Sequence, residues 1–136
     1  MLACILSLVL VSFVHKDAEQ LPPVRTAVAP SYPKLAAVLN LSGEVVLNVS
    51  IDEEGRVTVV KTVTGNPIFR RSAEEAARLW RFASCIGCGE RSVKLSFVFT
   101  CVVGVEWISA IFHTPFRVEI IHGVKPQVEI NVRPSK

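Results

Sequence analysis

Residues 65–82 read GNPIFRRSAEEAARLWRF, and the fold turns on how that stretch is built. Asn66 is a good N-cap. Pro67 is a good first helical residue, because the N–H it lacks is one that a helix start leaves unpaired anyway. From there Ile68, Phe69, Ala73, Ala76, Ala77 and Trp80 recur at helical spacing and make one apolar stripe. Glu74 with Arg78, and Arg71 with Glu75, stand four apart on the wet side. Such pairs are worth about 0.2–0.5 kcal/mol each, so they decorate the helix rather than found it. The alanines let the helix lie close to a sheet, and Trp80 and Phe82 close the end of the core. Burying side chains of that size is worth about 2–3 kcal/mol apiece. The stretch is the lid of a sheet, pinned at its C-terminal end by aromatics.

The sheet lies on either side of the lid. Upstream, EVVLNVSID places Val45, Leu47, Val49 and Ile51 on one face. DEEG follows as a turn, with Gly55 free to take positive φ. RVTVVKTVT then carries Val57, Val59 and Val63, completing a β-hairpin. Downstream, RSVKLSFVFTCVV turns Val93, Leu95, Phe97, Phe99 and Cys101 one way and Lys94, Ser96, Val98 and Thr100 the other. A strand–helix–strand unit crosses over right-handed, which puts the first strand in the middle and the third on an edge. SYPKLAAVLN adds a short helix from about Lys34 to Leu39. The expected class is α+β: a small three-stranded, antiparallel-type sheet with a βαβ crossover and two helices on one face. After Gly104, VEWISAIFH, FRVEIIHG and QVEINVRP are each strand-like and form a C-terminal β extension.

Three segments result: an apolar signal or anchor with a short linker at 1–23, a domain at 24–103 and the extension at 104–136. The run Met1–Val14 is short for a membrane span, which needs about 20 residues, and suits the apolar region of an export signal. A net charge of +3 on 136 residues, with no basic block, gives no argument for nucleic acid. Cys85-Ile-Gly-Cys88 follows a helix end, whereas a thioredoxin-like pair needs a helix N-terminus. A zinc site needs four ligands, and His113 and His122 stand at no common spacing to complete one. The plain expectation is a loop disulfide or free thiols, with Cys101 buried as a small hydrophobe. Asp52, Glu53 and Glu54 sit in a solvated turn. No catalytic set, metal or cofactor is expected, and the chain is not read as an enzyme.

Tyr32-Pro33, Gly43-Glu44-Val45, Asp52 to Gly55, Gly65-Asn66-Pro67, Ala73, Ala76 and Trp80-Arg81-Phe82 occur in one order and spacing. Over Pro30 to about Val102 the chain resembles the C-terminal domain of TonB-family energy transducers. The resemblance implies a periplasmic domain, exported or tethered to the inner membrane, that binds TonB-dependent outer-membrane receptors. In that family an extended receptor peptide, the TonB box, joins the exposed edge of the sheet by β-augmentation. ExbB- and ExbD-like inner-membrane proteins couple proton flow to pulling on it. Carried over, the peptide-binding residues are Pro30, Ser31, Tyr32 and Pro33, with Ser92, Lys94, Ser96, Phe97, Val98, Phe99 and Thr100 on the last strand.

The sequence departs from the family in four places. Ser31 stands where Gln is usual and reaches less far. The spacer of about ten residues, at about 3.3–3.6 Å each, is too short to cross a periplasm. SCIGCGE fills the loop after the helix. The extension after Gly104 can pair with the edge at Ser92–Val102 and block it. The alternatives are therefore an assembly module whose edge is filled by its own tail or by a second copy in a homodimer, and a thiol or metal protein using Cys85 and Cys88.

Overall fold

A computed structural model describes residues 21–104 and 106–125. The apolar run Met1–Val14, Cys4, His15 and the strand-like QVEINVRP lie outside the described residues. In chain order the elements are β1 (Val24–Thr26), α1 (Lys34–Val38), β2 (Gly43–Ile51), β3 (Val57–Gly65), α2 (Pro67–Arg78), β4 (Arg81–Phe82), β5 (Arg91–Val103), β6 (Ile108–His113) and β7 (Arg117–Val124).

The lid forms as its residues dictate. The Asn66 side chain accepts from the Ile68 N–H at 3.0 Å, and Pro67 opens α2. Phe69, Ala73, Ala76 and Ala77 are buried beneath it, chiefly over β3 and β2. They meet the inward set Val45, Leu47, Val49 and Ile51 of β2 and Val93, Leu95, Phe97 and Phe99 of β5, all buried. Phe69 and Phe99 stack at 4.5 Å, close under Gly43, where a Cβ would come within 2.8 Å of the Phe69 ring. The charge pairs Arg71–Glu75 (2.9 Å) and Glu74–Arg78 (3.8 Å) lie outside, as spaced.

The aromatic end is pinned, but not as helix. α2 stops at Arg78, and Trp80 turns inward to donate its indole N–H to the Val28 carbonyl at 2.8 Å. The Arg81 guanidinium binds the carbonyls of Arg78 and Trp80, satisfying acceptors that a helix end leaves open. Phe82 donates its N–H to Gly55 at 2.8 Å and pairs with Val24, so β1 and β4 make a second, two-stranded sheet. Gly55 has φ +84°, and a Cβ there would lie 2.0 Å from the Phe82 carbonyl oxygen. Only glycine fits.

The main sheet has five strands in the order β3-β2-β5-β7-β6. The first strand of the hairpin lies between the second and the third, as expected. The expectation that the third strand forms an edge is corrected. The tail after Gly104 returns as a hairpin, β6 outermost and β7 inserted against β5. That placement buries Phe116, Val118 and Ile120 in the same core as β2 and β5. Each such side chain is worth about 1.5–3 kcal/mol, which is why the tail closes on the sheet rather than standing apart.

Candidate functional site, a strand edge and its occupant

The residues carried over from the family resemblance fall in two groups, and the fold sets the first against the C-terminal half of the second. Pro30 is buried, and Pro33 stands immediately before α1. Ser31 accepts through its carbonyl from the Ser72 hydroxyl on α2. Tyr32 drops its ring onto Phe69 (5.8 Å) and Phe99 (5.7 Å), edge to face, and donates its hydroxyl to the Leu41 carbonyl. The Tyr-Pro segment thus abuts the C-terminal half of β5.

Along β5 the side chains divide by face. Phe97 and Phe99 are in the core, so what they offer a neighbouring strand is backbone only. Lys94, Ser96, Val98 and Thr100 face the opposite, wetter side of the sheet. From Ser96 to Val103 the backbone edge is taken: β7 runs parallel to β5, with Ser96 opposite Arg117, Val98 opposite Glu119 and Thr100 opposite Ile121. The pairing is parallel in a sheet whose other pairs are antiparallel. The Ser96 N–H donates to the Phe116 carbonyl at 2.9 Å where β7 begins. On the wet face the Ser96 hydroxyl and Arg117 both approach Glu44, and Thr100 donates to Glu119 at 3.3 Å. Glu119 also lies 3.6 Å from His113 of β6. On the core face Val118 and Ile120 are fully buried, and His122 stacks on Tyr32.

Ser92 and Lys94 stand apart from this. β5 has thirteen residues and β7 eight, and among the described residues Arg91–Leu95 pairs with no strand on the side away from β2. An apolar hollow of about 410 Å³ opens where β7 starts, lined by Leu21, Pro22, Trp80, Phe112, Pro115 and Phe116 among others. At the other end of the stretch, Arg91 donates to the carbonyls of Asp52 (3.2 Å) and Ala83 (3.0 Å), while its Nε is buried without an acceptor.

The residues that sequence reading missed are those of the occupant: Arg117, Val118, Glu119, Ile120 and His122. Their alternation marks a strand, yet nothing in it names the neighbour. The cysteine loop resolves simply. Cys85 and Cys88 are joined to each other, and Glu53 Oε1 accepts from Gly87 and Gly89 at 3.2 and 3.1 Å, tying the loop to the β2–β3 turn. Sulfurs so paired are not available as thiolate ligands. Cys101 is half-buried rather than buried, with its sulfur 3.8 Å from the Asn40 side-chain oxygen.

Comparison with known proteins matches residues 28–101 to the family model of the Gram-negative bacterial TonB protein C-terminal. Protein TonB of Yersinia enterocolitica is 36% identical over 63 residues, which are 45% of this chain and 25% of that protein. The chain therefore aligns with about a quarter of that relative's length. The solution NMR structure of the Pseudomonas aeruginosa TonB CTD superposes with a TM-score of 0.48 at 21% identity, covering 62% of this chain and 88% of that one. The matched region holds α1, β2, β3, α2 and nearly all of β5, and stops before the β6–β7 hairpin. On the family match, which takes in more than half of the residues, this chain belongs to the TonB C-terminal domain family.

Proposed function

We propose that this domain serves TonB-type, energy-dependent uptake in the periplasm by holding the extended N-terminal peptide of an outer-membrane receptor against β5, strand on strand. Pro30–Pro33 and Ser92–Thr100 form the site, and an ExbB/ExbD-like inner-membrane complex is the partner that supplies force. One observation carries the reading beyond family membership. From Ser96 to Val103, β5 already accepts an extended eight-residue segment in unbroken register. The edge is therefore shaped for strand addition, in which backbone hydrogen bonds give affinity and alternate side chains give register. The segment it holds belongs to the chain itself.

The test is a calorimetric titration of the full chain with synthetic N-terminal peptides of outer-membrane receptors. Saturable one-to-one binding, reduced at least tenfold by Ser96→Pro, agrees with the reading. No binding by any such peptide contradicts it.

The burial of Val118 and Ile120 favours a second reading, an assembly module whose edge stays filled by its own tail. The open strand is then β6, whose Ile108 and Phe112 are 68% and 50% exposed, and a second copy is its natural guest. The opposite edge, β3, is blunted by two register shifts and by Lys61. Sedimentation distinguishes the readings: the module is a concentration-dependent dimer without peptide affinity.

A further inference from the structure

We infer that the β6–β7 hairpin is a built-in competitor for the docking edge. An incoming peptide first pairs with Arg91–Leu95, which no described strand covers on that side, and then displaces β7 from Ser96 onward. The inference rests on the strand-addition reading above and names how that site is entered, what it selects and how it is kept closed.

Three observations carry it. First, β7 covers only the C-terminal part of β5, and among the described residues no strand pairs with the N-terminal part on that side, in line with the covered edge. The Ser96 N–H points to the β7 side, and N–H groups of alternate residues in a strand point the same way. Those of Ser92 and Lys94 therefore face the open side. Second, the covalent link from β5 to the hairpin is the short connector 104–107, whose Gly104 has φ +106°. Its outer strand adds little to the core: Ile108, Ile111 and Phe112 remain exposed. The hairpin can leave as a unit, with β2, β3, α2 and β5 keeping their mutual contacts. Third, β7 defines what replaces it. A guest in its place runs parallel to β5 and supplies apolar side chains two residues apart, where Val118 and Ile120 now sit in the core. It tolerates polar or charged residues at the Arg117 and Glu119 positions on the wet face. The ligand class is thus an uncapped extended peptide with an alternating apolar face.

The experiment uses the full chain with two probes, receptor N-terminal peptides and the octapeptide RVEIIHGV of residues 117–124. In Val98→Cys/Glu119→Cys a disulfide staples β7 to β5 at a register pair. Oxidised, this variant is expected to lose binding of both probes at least tenfold. Reduction is expected to restore it, with wild type in the same reductant as control. Lys94→Pro removes an N–H from the entry stretch and leaves the β2 ladder whole. It is expected to slow association at least fivefold while β7 amides stay protected from exchange. If the stapled chain binds receptor peptides within twofold of wild type, the guest does not take β7's place. Exchange is then overturned and strand addition stands at another edge. If the octapeptide binds reversibly and no receptor peptide does, the receptor reading is overturned and the exchange device survives. If neither probe binds, both fall.

Discussion

The ring of His122 lies flat on the ring of Tyr32, with centroids 4.9 Å apart and planes at 25°. One residue comes from the Tyr-Pro segment and the other from the tail strand, so this contact adds to the β5–β7 pairing in holding the hairpin to the rest of the domain. Tyr32 also braces Phe69 and Phe99 and holds Leu41 through its hydroxyl. Tyr32→Ala is therefore expected to cost about 2–4 kcal/mol in urea melts. Tyr32→Phe, which loses only the hydroxyl, is expected to cost about 0.5–1.5 kcal/mol. Amide exchange along β7 should quicken more than along β2 in the alanine variant.

Two glycines with similar backbone angles should respond unequally. Gly55 (φ +84°) and Gly87 (φ +86°) both favour glycine, but a Cβ at Gly55 meets the Phe82 carbonyl at 2.0 Å and one at Gly87 meets nothing within 4 Å. Gly87→Ala is expected to cost about 1–2 kcal/mol, the left-handed penalty alone. Gly55→Ala must also part β4 from the β2–β3 turn, and is expected to cost at least twice as much in the same melts.

The start of the lid can be tested by itself. Asn66→Ala removes the side-chain acceptor for the Ile68 N–H. A loss of about 1 kcal/mol is expected, with Asn66→Asp close to wild type, since aspartate caps as well.

Two groups link stability to pH in opposite senses. The hydrogen bond from the Arg56 N–H holds the Asp52 carboxyl below its usual range; loss of solvent opposes it less strongly, and the Arg56 side chain and the Glu54 N–H add to the lowering. Its contribution is present above the unfolded value near 4 and fades as pH falls through the folded one. Asp52→Asn should flatten that acid slope. Burial, helped by the neighbouring Cys101, raises the Tyr32 phenol above its ordinary value despite a hydrogen bond with Ser42. Its contribution is full below about pH 10 and is lost as pH rises through the folded value. Tyr32→Phe should therefore gain on wild type in strong alkali. Thermal melts from pH 2.5 to 11 check both.

What the sequence discloses is what depends on near neighbours. The periods of β2, β5 and α2, the Asn66-Pro67 start and the Gly55 turn are local, and each stands where its residues place it. In β3 the face read as Val57, Val59 and Val63 does not hold: Val59 and Val63 are exposed, and Val60 packs on the core with Val57, in a strand whose pairing with β2 shifts register twice. Trp80 and Phe82 are core residues as read. The extended backbone at Arg81–Phe82 was not legible, because it follows from Gly55 and Val24, partners of Phe82 distant in the chain. The order β5-β7-β6 is the larger gap. Alternation in Arg117–Ile120 says strand, but the slot that strand fills depends on which face it must bury, and a sequential β5-β6-β7 order reads equally well. The burial of Val118 and Ile120 decides it, and that is a property of the assembled core. Tyr32 of the candidate site's first segment lies against Phe99 of β5. The occupancy of that site is a matter of the tail, which lies beyond the family match.

The most direct measurement is hydrogen exchange at the amides of Val118–Ile121, read by NMR with and without a saturating receptor N-terminal peptide. The account predicts protection in the free chain and its loss when the peptide binds, while Val45–Val49 of β2 stays protected throughout. Bound peptide with β7 still protected would contradict it.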